Sequence, residues 1–359
     1  MMANDGRRVT LIDGPDRLLP QPVRGSVVFL LVLATAILLR ELASLLVPLL
    51  FGGFLAIVAW PLVAALERRN VPHRLALALT ILVILGIVLG SAAIIALSVG
   101  ELIVLLPRYE ARFTATIDAL RAFLTQLGIA TDQDALLAIV APEQIATLVR
   151  SIASAASSAG LAILVLALTM AYALVGAASW RSQAERALGR DHGLIGGVQR
   201  FGVDLRRFVV VRAVLGLFAA VLSFGLLFVL GVPLPALWAF LVFVASFVPN
   251  IGWILALLPP TLLALLDGGV TDAILIVVGY TAVNLIQDNV LQPIVLGAEL
   301  NLSPLVVFVA VIVWAWIFGA AGALLAVPLT VGIVLILEAS PSTRALGALM
   351  RNRDALVDA

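Results

Sequence analysis

The 359-residue chain contains no cysteine and no lysine; all 22 of its basic residues are arginine. Without cysteine there is no disulfide, no thiolate nucleophile and no sulfur-ligated metal. Without lysine there is neither a Schiff-base amine nor the lysine of a phosphate-binding loop. Histidine is confined to His73 and His192, both in arginine-rich polar stretches where a solvated loop residue is expected. Charge is scarce too: 12% of residues are charged, against roughly 25% in a soluble domain. HExxH and GxSxG patterns are also missing from the sequence. These absences predict no catalytic residue, no metal site and no cofactor, and they speak against an enzyme and against a nucleic-acid partner.

What the chain has in excess is hydrocarbon. Hydrophobic residues make up 63% of it and the mean hydropathy is +1.17. They fall in long uncharged runs, which predicts an all-α integral membrane protein of about eight hydrophobic segments whose main partner is lipid. Residues 1–24 are polar and carry Arg7, Arg8 and Arg17 with no early apolar run, as expected of a cytosolic tail rather than a cleaved leader. Membrane spans are expected within 25–106, at 153–179 and across 208–338. Between them lie amphipathic stretches at 107–152 and 180–207, and 339–359 reads as a second cytosolic tail. In the first stretch Tyr109, Phe113, Ile117, Leu120, Leu124 and Leu127 recur at helical spacing.

Orientation follows from arginine placement. Segments 67–74 and 180–212 hold three and seven arginines against one and three acids, whereas 101–150 holds four against six. The positive-inside rule then puts both termini and the first two segments in the cytoplasm of a bacterial inner-membrane protein, with 107–150 outside. Arg212, one turn into a span, is expected to snorkel to the inner surface.

The C-terminal third is built differently. Residues 236–248 are apolar, Pro249, Asn250, Ile251 and Gly252 interrupt, and a second apolar arm with Pro259 and Pro260 follows. The design returns in 304–317, an interruption from Phe318 through Gly319 to Gly322, and an arm carrying Pro328. One offset of 69 residues superposes Pro235 on Pro304 and Pro259 on Pro328, and it also pairs Thr261 with Thr330. Two copies of a span plus a broken helical hairpin are therefore expected, with tips near 249–252 and 318–322. Arms of about 13 residues reach only about 20 Å. Unwound backbone in lipid is tolerable where protein or a wet cavity satisfies it, as in transporters built from repeats. An unrepeated set of kinked helices is the alternative.

Between the units lies the densest polar cluster beside an apolar run: Asn284, Gln287, Asp288, Asn289 and Gln292, closed by Pro293. Such groups at depth are costly unless partnered, so they form either a packing network or a solute path. With Asn250 they are the candidate solute-binding residues. Asn289 is expected to begin a break, and Pro293 to push Gln292 out of helical geometry. Pro249, Gly252, Pro259, Pro293, Gly319, Gly322 and Pro328 are the candidate tip and hinge positions.

At these residues the chain resembles the autoinducer-2 exporter (AI-2E) family of bacterial membrane proteins. The resemblance rests on Phe247-Val248-Pro249-Asn250-Ile251-Gly252, Leu258-Pro259-Pro260, Asn289-Val290-Leu291-Gln292-Pro293 with Gly297, Leu302-Ser303-Pro304, and Gly319 through Gly322 with Leu325-Ala326-Val327-Pro328. It covers roughly residues 25–340. Many members carry a glutamate where this chain has Gln287, with Asp288 beside it, so a proton-linked role does not transfer directly. The resemblance implies export or facilitated passage of a small polar solute, autoinducer-2 being the eponymous one. It further implies a homo-oligomer, pentameric in form, and for some relatives coupling to H+ or Na+. Three functions remain open from the residues: a solute transporter, a sodium/proton antiporter titrating at Asp288, and a membrane scaffold that transports nothing.

Overall fold

The computed structural model describes residues 21–126, 142–189, 193–249, 251–292, 302–340 and 342–351. They are helical almost throughout. Helix α1 (Gln21–Glu41) is followed after Leu42 by α2 (Ala43–Arg68), and a tight turn then leads into α3 (His73–Gln126). His73 opens α3 at the surface, its Nδ1 2.5 Å from a Glu67 carboxylate oxygen; His192 lies outside the described residues. Helix α3 is a single rod of 54 residues, about 81 Å long against a hydrocarbon core of about 30 Å. The boundary expected at 106/107 thus falls inside one helix. The same holds for α4 (Pro142–Leu188) and α5 (Gly193–Val229), which run through the boundaries at 152/153, 179/180 and 207/208.

Among the described residues five helices are long and apolar enough to cross a membrane: 43–68, 73–105, 195–229, 270–291 and 320–339. Four shorter apolar helices accompany them, at 160–176, 235–245, 252–267 and 304–318. Large aliphatic side chains line the outside of the bundle, Leu97, Val104, Leu161 and Val229 among them, each more than two-thirds exposed. In water such a surface would be untenable; in lipid it is the solvated face. The protein is a multi-pass membrane protein.

Two packing units make up the bundle. Helices α2, α3 and α4 enclose Ala56, Val63, Ala76, Leu77, Met170 and Leu174. The C-terminal unit follows the order span, hairpin, span, hairpin. Helix α5 is followed by α6 (Pro235–Ala245) and α7 (Gly252–Asp267); α8 (Val270–Ile286) is followed by α9 (Pro304–Phe318) and α10 (Ala320–Ala339). Its core is Leu227, Val232, Leu234, Trp238, Ala264, Ile276 and Tyr280. The units meet where the Arg206 guanidinium donates to the Ile57 carbonyl at 2.8 Å.

The 69-residue register has structural counterparts. Pro235 and Pro304 each start the first arm of a hairpin, where a missing N–H costs nothing. Pro259 and Pro328 each sit inside the second arm. Two residues on, the Thr261 and Thr330 hydroxyls both bond back to the carbonyl four residues earlier, at 2.8 and 2.7 Å. The arms also cross by the same device. A Cβ on Gly252 would collide with the Ala245 carbonyl, and one on Gly322 with the Trp314 carbonyl; Ala245 and Trp314 are themselves 69 apart. The tips differ in length: the arms of the first hairpin end at Ala245 and resume at Gly252, while Gly319 alone, at φ +65°, turns the second. Val248 of the first tip packs against Val311 of α9 and Ala326 of α10, which joins the hairpins. Trp314 packs the second one by bonding Thr330 at 3.1 Å and stacking on Phe318, whereas Trp316 lies under Arg40 of α1.

Candidate functional site: a polar cavity between the hairpins

After Ile286 the eighth helix does not break. It continues as a π-helical turn, Gln287–Leu291, in which the Gln292 N–H reaches back five residues to the Gln287 carbonyl. Gln292 keeps helical dihedrals (φ −59°, ψ −48°), which corrects the expectation that Pro293 expels it. The wider turn absorbs the strain instead of ending the helix. Its effect on the side chains is specific. In an α-helix residues five apart diverge, but in a π turn they stack, so Gln292 falls in line with Gln287. Asn284 and Asp288 join them one turn earlier and beside, with Asn284 Nδ2 donating to Asp288 Oδ2 at 3.2 Å.

This polar face is one wall of a cavity of about 800 Å³. Ser246, Pro249 and Trp253 of the first hairpin close a second side, Pro304 and Val307 a third, and Val327, Val331 and Glu338 of α10 a fourth. Helix α5 contributes Arg200, Asp204, Arg207, Phe208 and Arg212. Gln287 is buried, Asn284 and Gln292 are half-buried and Asp288 is exposed. Asn289 points elsewhere: it is exposed, does not line the cavity, and donates to the Leu285 carbonyl at 3.0 Å. Asn250 and Pro293 lie outside the described residues. Of the tip positions, Pro249 lines the cavity, Gly252, Gly322 and Pro328 are buried in the arms, and Pro259 is half-buried.

Arginine dominates the electrostatics. Among the described residues Arg200, Arg207, Arg212 and Arg351 face the cavity against Asp204, Asp288 and Glu338. Arg351 takes Glu338 in a fork, Nε to Oε1 at 2.5 Å and Nη2 to Oε2 at 2.7 Å. The hydrogen bond to Glu338 holds the Arg351 guanidinium above its ordinary value despite partial burial. An antiparallel bridge from Leu302 to Arg351 and a 3.0 Å bond from Ser303 N–H to the Met350 carbonyl clamp the C-terminal turn onto the start of α9. Arg351→Ala is expected to release this clamp, seen as faster proteolysis after residue 340 with the spans intact.

Arg212, expected to snorkel, is buried in the bundle. It is 9% exposed, faces the cavity, and lies 5.7 Å from the Phe208 ring centre. Because α5 starts at Gly193, Arg212 stands nearly 20 residues into it, with Arg200, Arg206 and Arg207 on the turns between. Ser246 Oγ, 3.4 Å from the Arg212 carbonyl, ties this helix to the first hairpin.

The cavity presents hydrogen-bonding side chains along one side and arginines interspersed with Asp204 and Glu338 on the other. Residues 27–342 match the model of the AI-2E family transporters. The AI-2 transport protein TqsA of Escherichia coli is 28% identical over 87% of this chain and 91% of its own length. YhhT of the same organism, provisionally named a transport protein, is 29% identical over 87% and 90%. A Mycobacterium tuberculosis protein with the same provisional designation, MT0215, is 31% identical over 84% and 85%. With the broken hairpins, the polar turn and nearly the whole length matched, this chain belongs to the AI-2E family of transporters.

Proposed function

We propose that the protein moves a small polar solute across the bacterial inner membrane through the cavity between its hairpins, without catalysing a reaction. The single observation behind this reading is the polar wall of Asn284, Gln287, Asp288 and Gln292 inside an otherwise apolar bundle. TqsA is named for AI-2 transport, so AI-2 is the first solute to try, with export or facilitated passage as the mode. Both termini lie in the cytoplasm in this reading, as the arginine distribution requires. Assembly as a homo-oligomer, a pentamer by the family resemblance, belongs to the same proposal, and native mass spectrometry counts the copies.

The decisive test is AI-2 flux from proteoliposomes. Gln287→Leu removes a buried amide from the wall while conserving volume, and flux is expected to fall at least tenfold at equal folded protein. Unchanged flux overturns the site. Asp288 on the same wall supports a second reading, proton-linked sodium exchange. Under it, Asp288→Asn abolishes sodium flux driven by a pH gradient, and wild type shows such flux without any organic solute. The surplus of arginine weighs against a cation route. A purified oligomer that stays solute-tight under every gradient returns the scaffold.

A further inference from the structure

The cavity between the hairpins is polar on only part of its wall. Helix α10 gives it Val327, Val331 and Val334, at steps of four and three residues, so the three share one face. Their stripe runs about 10 Å along the helix. Val307 of α9 lines the cavity as well, and no polar side chain of either arm borders it before Glu338. Val327 and Val334 are buried, so this stripe is not part of the lipid-facing surface. Water beside it finds hydrocarbon and no bonding partner. A solute that is polar all round would fare no better against the stripe, whereas an apolar flank would cover it.

The adjoining wall is ionic. Helix α5 brings Arg200, Arg207 and Arg212 to the cavity, and Arg351 enters from the C-terminal turn. Among the described residues these four guanidiniums meet three carboxylates, Asp204, Asp288 and Glu338. Whatever pairs form among them, one positive charge is in excess even with every carboxylate ionised, because arginine stays protonated. Between walls of low dielectric an uncompensated charge is costly. One bound negative charge removes that cost, and a cation would double it. The amides of Asn284, Gln287 and Gln292 add N–H donors for the oxygens of an anionic head.

We infer that the solute is an amphipathic monoanion. Its charged head is held by the α5 arginines and the α8 amides, and its apolar flank lies on the Val327–Val334 stripe. The inference rests on this cavity being the solute's path and narrows that reading to one chemical class.

The probes are radiolabelled 1-pentanesulfonate, isethionate and pentyltrimethylammonium: an amphipathic anion, a polar anion and an amphipathic cation. All three stay ionised at any working pH. Uptake into proteoliposomes is measured against protein-free vesicles, with the membrane potential clamped at zero. Wild type is expected to carry pentanesulfonate at least tenfold faster than either of the others. Val307→Thr combined with Val331→Thr nearly keeps the shape of the stripe and makes it polar. The pair should cut the preference for pentanesulfonate over isethionate about tenfold. Arg207→Gln should cut the preference over pentyltrimethylammonium by a similar factor. A purely structural role for these residues lowers all rates together and preserves both ratios. If the double variant fails to insert, Val331→Thr alone is expected to change the first ratio about threefold. Preserved ratios overturn the inference, as does equal passage of the cation by wild type. A wild type that moves AI-2 but not pentanesulfonate overturns it too and leaves transport standing. One that moves neither overturns both.

Discussion

Alanine in place of Gly322 is expected to destabilise the protein by more than about 3 kcal/mol, enough to remove most folded material from detergent extracts. The reason is local. A methyl group there would occupy the space of the Trp314 carbonyl, and Phe318 Cβ stands only 2.9 Å away on the other side. Neither obstacle is the loose end of a side chain. Trp314 is held by its bond to Thr330 and by stacking on Phe318, so the arms must separate for the methyl to enter. Gly252→Ala should behave alike, because the Ala245 carbonyl blocks its site in the first hairpin. Gly86→Ala is the control: nothing lies within 4 Å of that position, and alanine there should gain about 0.5–1 kcal/mol of helix stability. Melting temperatures and size-exclusion profiles separate the three. A tolerated Gly322→Ala would mean the arms do not cross as described.

The second large effect concerns Arg212. Arg212→Met retains the long apolar stem against Phe208 and deletes the charge. Solute flux per folded molecule should fall at least tenfold, and Arg212→Lys should recover part of it. Folded yield should hold or rise, since a buried guanidinium carries a desolvation penalty that methionine does not. A purely structural arginine gives the opposite pattern, with little protein but normal flux in what survives.

The repeat was legible because proline and glycine report backbone geometry directly. Pro235 and Pro304 start helices for the same reason, Pro259 and Pro328 sit inside the second arms, and Thr261 and Thr330 repeat one back-bond. No packing information is needed to see them. The polar wall was half legible. Asn284, Asp288 and Gln292 share a face at ordinary helical spacing, but Gln287 lines up with Gln292 only through the π turn, and Asn289, next to Asp288, points elsewhere as an adjacent helical residue does. The proline at 293 announces a disturbance without saying whether the helix breaks or widens. The burial of Arg212 was hidden, because the polar stretch before it belongs to the same helix. Hydropathy registers where water changes to lipid. It is blind to a helix that continues through the change, as α3, α4 and α5 do.

One joint gives the long third helix a mechanical role. Tyr109 donates to Asp267 Oδ2 at 2.5 Å, and Arg112 grips the other carboxylate oxygen and the Leu266 carbonyl. Asp267 is the last residue of α7, whose opposite end, about 24 Å away, carries Trp253 in the cavity wall. The shaft and the short rod are thus linked like a crank and its pushrod. Tyr109 and Arg112 fix α3 to the end of α7 that lies away from the cavity.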